Sequence, residues 1–336
     1  MKRLSIRWVR CGLLIAVSAA AVFSGNAAAK SLNLRLGHEL PIDSPIHRAL
    51  ETFAENVNEA SDGDISVKVY GGATIGSDRQ LSEQVRLGAI DMAALGVNTQ
   101  APLGDDFSID EVPYVWDSYA QMAAAYNGDL GEILGKKLTA LGVRPIGYFP
   151  FGFRQLTNNV RPVEKPSDIK GLKLRVAEVP IRIDAFKALG ARPVPIAFPE
   201  LFTALQQGTV DGQENPLFII KGSRFFEVQK YLTLTNHIAS TYFLGMNSSR
   251  FKSLTQAQRD ILLAQAAKIG PQVTAELESN RKEILAFLRD QGMQIVTDID
   301  RDAMRAELKP VYRKYKKEFS PDVWAALKKY SSLGDD

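Results

Sequence analysis

The chain has 336 residues, of which 45% are apolar, so it is long enough to bury the cores of two medium-sized domains. Its formal net charge of +3 comes from 41 basic and 38 acidic side chains, but four of the basic residues precede Cys11. The remaining 37 basic and 38 acidic side chains nearly cancel, and no basic run offers a surface for nucleic acid or anionic lipid.

The N-terminal segment has the three parts of a secretory signal peptide. Basic residues come first, an apolar run over about 11–23 follows, and small residues occupy 27–29. The apolar run is shorter than the ~20 residues that a membrane-spanning helix needs, so we predict cleavage near Ala29 rather than an uncleaved anchor. Cys11 is the only cysteine and leaves with this segment, which excludes disulfides, cysteine ligands and cysteine nucleophiles from the exported protein.

Beyond residue 30, strand-like and helix-like segments alternate, which favours an α/β fold. Period-two patterns predict strands at 32–37 and 65–70, and apolar residues at helical spacing lie between them, with Ser44 as N-cap. A second helix is predicted over 78–87, ended by Gly88. Further strand-like segments follow at 89–96, 143–149, 173–176, 191–196, 210–213, 232–238 and 241–247.

The C-terminal part is predicted to be mainly helical. A capping box at Thr255–Gln258 begins a helical pattern that continues to about Asp290, with a kink at Gly270–Pro271 and an end at Gly292. Such a helix would be about 50 Å long at 1.5 Å per residue, so we expect it to tie two lobes together.

Motifs of catalysis and cofactor binding are not found in the sequence. The three histidines, His38, His47 and His237, sit in no familiar catalytic motif, and neither GGATIG (71–76) nor GEILGKKLT (131–139) has the spacing of a nucleotide-binding loop. The sequence therefore predicts no cofactor. Four residues of types that bind zinc lie close together in the sequence: His38, Glu39, Asp43 and His47. Their spacing matches no closed structural zinc site, so no metal is predicted.

Two arginines are candidates for binding a carboxylate. In DIKGLKLRVAE (168–178), Leu172, Leu174 and Val176 share one face of a short strand, and Arg175 lies on the other face at its end. Arg154, in FGFRQLTNN (151–159), also follows a strand. The planar guanidinium group donates two parallel hydrogen bonds to a carboxylate, and ligands of open α/β sheets bind beyond the carboxyl ends of strands. A solvated or ion-paired surface position is the alternative for each arginine.

A third candidate element is IAFPELFTALQQGTVDGQENPLF (196–218). Phe198 could cover an apolar face of a ligand, and Asn215 offers a donor and an acceptor on a predicted loop stiffened by Pro216. A helix N-cap and a turn explain this pattern equally well.

These segments resemble the extracytoplasmic solute-binding proteins of TRAP transporters, the DctP family. The resemblance extends over nearly all of the chain after residue 30 and rests on collinear runs that include 61–93, 110–116, 171–176, 189–216 and 228–238. It implies a periplasmic, non-catalytic protein with the two-lobed α/β periplasmic binding-protein fold, class II-like, and a cleft that closes around an organic acid. The boundaries that we expect are a signal peptide at 1–29, lobe I at 30–151 and 241–280, and lobe II at 152–240 and 281–336.

The resemblance also implies roles for individual residues. Arg175 would pair with the ligand carboxylate, Arg154 would support the same anion, and Phe198 and Asn215 would line the cleft. A polar triad associated with closure would consist of Arg154, Glu200 and His237. The implied partners are the small and large membrane subunits of a TRAP transporter, with no nucleic acid.

The ligand is narrowed only partly by the resemblance. Sialate-binding members have Asn where this chain has Glu178, which argues against sialate and leaves a sugar acid such as a uronate, or a C4-dicarboxylate. The non-carboxylate end of the ligand would touch residues of the amino-terminal part: His38, Glu39, Asp78 and Asn98. Two alternatives stay open, a secreted α/β enzyme acting on sugar acids with Glu178 or Glu214 as base, and a binder that presents its ligand to a membrane sensor.

Overall fold

The computed structural model describes residues 31–333. The predicted signal peptide lies outside the described residues. Ten strands form a mixed sheet: β1 (Leu32–Gly37), β2 (Ile65–Tyr70), β3 (Met92–Gly96), β4 (Val143–Asn158), β5 (Lys173–Val176), β6 (Arg192–Pro195), β7 (Gly212–Pro216), β8 (Tyr231–Thr233), β9 (Ala239–Asn247) and β10 (Gln294–Val296).

Helices cover both faces of this sheet. Six helices precede β6: α1 (Pro45–Ala60), α2 (Asp78–Leu87), α3 (Tyr119–Tyr126), α4 (Asp129–Ala140), α5 (Pro166–Ile169) and α6 (Pro180–Ala188). The later ones are α7 (Leu201–Gln206), α8 (Leu217–Gly222), α9 (Ser248–Ser253), α10 (Gln256–Ala266), α11 (Ile269–Ser279), α12 (Arg281–Asp290), α13 (Arg301–Glu318) and α14 (Pro321–Tyr330). None of the helices within 31–333 is both long enough and apolar enough to cross a membrane.

The strand order is β2-β1-β3-β9-β4-β7-β5-β6, with β8 paired to β4 and β10 paired to β8. The 16-residue strand β4 links the two halves of the sheet. It pairs with β9 from Val143 to Phe153, and its end pairs with β7 and β8. Register shifts on β4 occur at Pro145/Gly147 and at Pro150/Gly152, and Gly152 has a φ of 121°, which favours glycine. One continuous strand therefore joins the two halves through an irregular segment.

Strand β3 shows how the two faces of the sheet are filled. Ala93 and Leu95 pack into one apolar core, and Met92 and Ala94 pack into the other, because successive strand side chains point to opposite faces. On β5, Leu174 and Val176 belong to the first core with Leu172 of the preceding turn. This alternation places Arg175 on the opposite face, as the sequence predicts.

The predicted helix bounds near the N-terminus are confirmed. Ser44 accepts a hydrogen bond from the backbone N–H of His47 at 3.1 Å and caps α1, in which Pro45 is the first residue. Helix α2 spans 78–87 and ends at Gly88, whose φ of 77° is left-handed.

The predicted long C-terminal helix is the main departure from expectation. The structure has three shorter helices, α10, α11 and α12, separated at Ala267–Lys268 and at Asn280. Pro271 explains the first break, since it has no N–H to donate to the carbonyl of Ala267 four residues earlier. The capping box at Thr255–Gln258 is confirmed by two reciprocal hydrogen bonds of 3.0 and 3.2 Å, and Gly292 follows α12 with a φ of 92°.

Candidate functional site

A cleft of about 450 Å³ lies at the carboxyl ends of strands from both halves of the sheet. The segments that follow β1, β3, β5 and β6 reach it, and β4, β7 and β9 cross its floor. Open α/β sheets bind ligands at this position. Eight predicted site residues line the cleft: Glu39, Asp78, Asn98, Arg154, Arg175, Glu178, Phe198 and Asn215.

Arg175 is buried in the cleft wall, with 3% of its surface exposed. Its Nε donates a 2.8 Å hydrogen bond to the carbonyl of Ile196, which follows β6, and this bond fixes the orientation of the side chain. No ion pair to Arg175 occurs within the described residues. Burial lowers the pKa of Arg175 to about 10, although Glu214 and Glu39 oppose this shift, so the guanidinium is charged at neutral pH. Such a group attracts an anionic ligand.

Arg154 is bonded to Glu214 of the neighbouring strand β7. Its Nε donates to the Glu214 carboxylate, and its Nη2 donates to Glu214 Oε1 at 3.0 Å and to Asn215 Oδ1 at 2.9 Å. His237 Nε2 lies 3.2 Å from Glu214 Oε2, while its Nδ1 bonds to Thr235 Oγ1 at 2.7 Å. Burial lowers the pKa of His237, so the neutral ring donates to the carboxylate.

The structure brings together two members of the predicted triad, Arg154 and His237, and does not bring Glu200 to them. The carboxylate that joins Arg154 and His237 is Glu214. Glu200 lies exposed in a single 3₁₀ turn, Phe198–Glu200, after β6. Strand pairing explains why Arg154 contacts Glu214 and not Glu200. Strand β7 runs beside β4 and places Arg154 opposite Pro216, next to Asn215 and Glu214.

A second buried arginine, Arg182 of α6, extends this network. It donates to Glu111 Oε2 through Nε at 2.7 Å and to Glu214 Oε1 through Nη1 at 3.1 Å. Burial alone would raise the pKa of the Glu214 carboxyl, but Arg154 and Arg182 hold it well below its usual range. Asn98 joins the network by donating to Glu111 Oε1 at 2.9 Å. The charges of these arginines are thus balanced within the protein.

Glu39 and Asp78 form an acidic pair on the wall that belongs to β1 and α2. The backbone N–H of Asp78, in the first turn of α2, donates to Glu39 Oε2 at 3.0 Å. Asp78 Oδ2 accepts hydrogen bonds from Tyr242 at 2.8 Å and from Thr99 at 3.4 Å. Burial and the adjacent Glu39 raise the pKa of Asp78 well above its usual range, and burial also raises the pKa of Glu39.

Phe198 and Asn215 line the cleft, but Asn215 lies in strand β7 rather than in the predicted loop. Its Nδ2 donates to Gln213 Oε1 at 2.6 Å and its Oδ1 accepts from Arg154, so one donor and one acceptor position of the amide are free for a ligand. Pro216 is tolerated in β7 because it is the last residue of the strand. Phe198 packs edge-to-face on Phe225, with ring centroids 6.3 Å apart.

His38 does not line the cleft, contrary to the prediction. Its ring is fully buried, with Nε2 at 2.9 Å from His47 Nδ1 and Nδ1 accepting from the backbone N–H of Leu40 at 3.2 Å. Burial, together with His47, lowers the pKa of His38 to about 3, so the ring is neutral. Within residues 31–333, no three His, Cys, Asp or Glu side chains are grouped to hold a metal ion.

Glu178 lies at the mouth of the cleft, where it pairs with Arg79 of α2. Arg79 Nη1 donates to Glu178 Oε2 at 3.1 Å, and both side chains are more than half exposed. Sequence patterns do not indicate Arg79 as the partner of Glu178, and they do not indicate that Arg182, Glu111 and Tyr242 belong to the site. Their positions depend on contacts between segments that are 71 to 164 residues apart, which hydrophobic periodicity does not report.

A larger groove of about 1140 Å³ runs along residues 144–150 of β4, between α3–α4 and α11. None of the arginines that line the cleft contributes to it, and it does not lie at the ends of strands. We therefore assign the functional site to the smaller cleft.

The mixed α/β fold and a charged cleft at its strand ends define the class of solute-binding proteins. Comparison with known proteins supports this assignment to the solute-binding proteins. The sequence pattern of the family described as bacterial extracellular solute-binding protein, family 7 (DctP), matches residues 36–318. The chain belongs to this DctP family, which confirms the predicted family and its α/β fold. Because the family consists of solute-binding proteins, membership in it supports a non-enzymatic role.

Three similar proteins illustrate the relationship. The 2,3-diketo-L-gulonate-binding periplasmic protein YiaO of Escherichia coli is 32% identical over 89% of this chain and 90% of its own length. A TRAP periplasmic solute-binding protein from a Polaromonas species, solved with D-erythronate, is 32% identical with a TM-score of 0.86, covering 90% of this chain and 100% of that one. The sugar acid-binding protein of Advenella mimigardefordensis, solved with galactonate, is 32% identical with a TM-score of 0.86, covering 90% and 99%.

Proposed function

We propose that this protein captures an organic acid in the periplasm and delivers it to the small and large membrane subunits of a TRAP transporter. The observation that carries this proposal is Arg175, a buried guanidinium in the cleft wall with one hydrogen bond and no ion pair within the described residues. A carboxylate is the ligand group that best matches its two remaining donor positions.

Sugar acids are the first ligands to test. The similar proteins named above bind 2,3-diketo-L-gulonate, D-erythronate and galactonate, all of which carry a carboxylate and several oxygen-bearing carbons. A cavity of about 450 Å³ has the size of a small-molecule site. C4-dicarboxylates are the second group, since they share the carboxylate that Arg175 would hold.

Arg154 contributes to the site mainly by orienting Asn215, to which it donates a hydrogen bond of 2.9 Å. Its charge is offset by Glu214, so it is a weaker anchor than Arg175. The predicted lobes, 30–151 with 241–280 and 152–240 with 281–336, would close on the ligand by bending near Gly152 of β4, where the strand is irregular.

A secreted enzyme acting on sugar acids is the alternative of another class. Two observations weigh against it. Glu214 has a depressed pKa and three hydrogen-bonding partners, which makes it a poor base, and Glu178 is exposed and paired with Arg79. Presentation of the ligand to a membrane sensor is a further alternative, and uptake by vesicles containing the two membrane subunits would distinguish transport from sensing.

The proposal is tested by calorimetry on the protein without its signal peptide, alongside an assay for turnover. Arg175→Ala should weaken binding of the cognate acid by about 2–5 kcal/mol, because one partner of a desolvated charge pair is lost. This corresponds to about thirtyfold to several-thousandfold. Arg175→Lys should restore only part of the affinity, since an ammonium cannot form two parallel bonds.

Arg192→Ala is the matched control, because Arg192 is exposed on the adjacent strand β6 and does not line the cleft. Binding by Arg192→Ala should equal that of the parent. A folded Arg175→Ala protein that binds within threefold of the parent would contradict the proposal, and so would turnover of a bound acid.

A further inference from the structure

Glu111 is a buried carboxylate that does not line the cleft but is bonded to three residues that do. Its Oε1 accepts hydrogen bonds from Asn98 Nδ2 at 2.9 Å and from Ser240 Oγ at 3.1 Å. Its Oε2 accepts a hydrogen bond from Arg182 Nε at 2.7 Å. All three donors line the cleft, whereas Glu111 is fully buried behind them. One carboxylate therefore holds side chains from three separate segments of the cleft wall.

These segments belong to both predicted lobes. Asn98 follows β3, and Glu111 ends the 3₁₀ segment Asp105–Glu111, so both are in predicted lobe I. Arg182 of α6 and Ser240 of β9 are in predicted lobe II. The hydrogen bonds of Glu111 thus cross from one predicted lobe to the other. The side chains of Glu111 and Arg182 are at most 1% exposed, and a buried pair of this kind is costly to break.

The hydrogen bond between Asn98 and Glu111 determines the orientation of the Asn98 amide. A carboxylate only accepts hydrogen bonds, so the NH₂ end of the amide must face Glu111. The opposite end, Oδ1, lies over Gly96, where a Cβ atom would collide with it. Gly96 has a φ of −63°, which any residue adopts, so the missing side chain and not backbone freedom makes room for Asn98.

We propose that Glu111 is a positioning residue of the binding site, which fixes the amide of Asn98 in one wall of the cleft while it holds Arg182 in the other. This inference rests on the proposed function and adds to it a residue that the ligand does not touch.

Exchange of the Glu111 carboxylate for an amide has a specific consequence. In Glu111→Gln the oxygen of the new amide stays with the guanidinium of Arg182, because its NH₂ group cannot bond to another donor. The NH₂ group then faces the NH₂ group of Asn98. Two donors repel each other, so the Asn98 amide has to turn or move.

The first measurement needs no ligand. In protein labelled with heavy nitrogen at its asparagines, NMR shows the side-chain NH₂ signals, and those of Asn98 are the ones lost in Asn98→Ala. They should shift in Glu111→Gln and also in Gly96→Ala, which pushes Asn98 from the other side. Glu83→Gln is the control and should leave them in place, since Glu83 pairs with Arg86 outside the cleft.

Glu111→Asp is a second variant in case Glu111→Gln does not fold. It keeps the negative charge that balances Arg182 and draws the carboxylate back by one CH₂ group from Asn98. The Asn98 signals should shift in this variant as well.

The second measurement is calorimetry with galactonate and D-erythronate as probes. Glu111→Gln and Asn98→Ala should each weaken binding by about three- to tenfold, because each misplaces or removes a hydrogen-bonding group of the cleft wall. Both changes act on the same side chain, so the double variant should bind within about threefold of the weaker single variant, whereas independent effects would multiply.

Asp184→Asn is the control for a disturbance of α6, the helix that carries Arg182. Asp184 accepts hydrogen bonds from Lys314 and Tyr315 of α13 and does not line the cleft. Its variant should bind both probes as the parent does.

The outcomes separate this inference from the proposed function. If a folded Glu111 variant leaves the Asn98 signals and the affinity unchanged, or if the losses multiply in the double variant, the inference is overturned and the proposed function stands. If Arg175→Ala binds a probe as tightly as the parent does, the proposed function fails, and the Asn98 signals still decide whether Glu111 orients the amide.

Discussion

Arg154 and Glu214 form a buried ion pair between adjacent strands, in which the guanidinium contacts both carboxylate oxygens and the backbone carbonyl of the same glutamate. Both side chains are at most 5% exposed. Because each group is desolvated, the pair adds to the backbone pairing of β4 and β7 at the floor of the cleft only while both charges are present.

Removal of the Glu214 carboxylate should destabilise the protein strongly. Glu214→Ala leaves Arg154 and Arg182 buried with too little negative charge, and loss of one partner of a buried pair typically costs about 3–5 kcal/mol. Urea unfolding of parent and variant measures this. Glu227→Ala, which breaks the exposed pair with Arg224, is the control and should cost less than about 1 kcal/mol. Equal losses in the two variants would contradict the assignment.

The pH dependence of stability should reflect Asp110. Burial and the neighbouring Glu111 raise the pKa of Asp110 to about 8, while the unfolded value is near 3.9. The folded protein then keeps a proton that the unfolded chain releases, so this group lowers the free energy of unfolding as the pH rises from about 4 to about 8.

Asp110→Asn should remove that contribution, because an amide keeps the acceptor for the backbone N–H of Thr241, now at 2.6 Å, without titrating. At pH 8 the variant should be more stable than the parent by at least about 1 kcal/mol, and the difference should shrink towards pH 5. Denaturant unfolding at both pH values tests this. The exposed Asp105→Asn should show the parent's pH profile, and the same profile in Asp110→Asn would refute the prediction.

Ligand binding should bring the two predicted lobes together, since residues from both halves of the sheet surround the cleft. Small-angle scattering should show a smaller radius of gyration at saturation with a bound acid. Arg175→Ala at the same ligand concentration serves as the control and should keep the radius of the unliganded protein. An unchanged profile for the saturated parent would indicate a rigid site.

Export should remove the first 29 residues or a segment close to that length. Mass spectrometry of the protein recovered from a periplasmic extract should give a chain that begins near Lys30. A mature protein that retains Met1 would show that the apolar run anchors the chain instead.

Local patterns in the sequence predicted the strands and helices well, because period-two and helical spacing are set by burial of one face. The alternation around Arg175 and the capping of α1 by Ser44 are examples. The choice between Glu200 and Glu214 was beyond such reasoning. Both glutamates lie in the same stretch of sequence, between Phe198 and Asn215. Only the pairing of β7 with β4 brings Glu214 to Arg154. The break between α10 and α11 was expected as a kink, and the second break at Asn280 has no proline or glycine to signal it.

The pair of Arg79 and Glu178 gives this protein a ready position for an optical reporter. The two side chains meet across the cleft mouth and both are exposed, so closure of the predicted lobes would change the distance between them. Cys11 is the only cysteine in the chain and precedes the predicted cleavage site, so a cysteine introduced at position 79 would be the sole thiol of the exported protein. An environment-sensitive dye attached there would convert ligand occupancy into a change in fluorescence, without interference from labelling elsewhere.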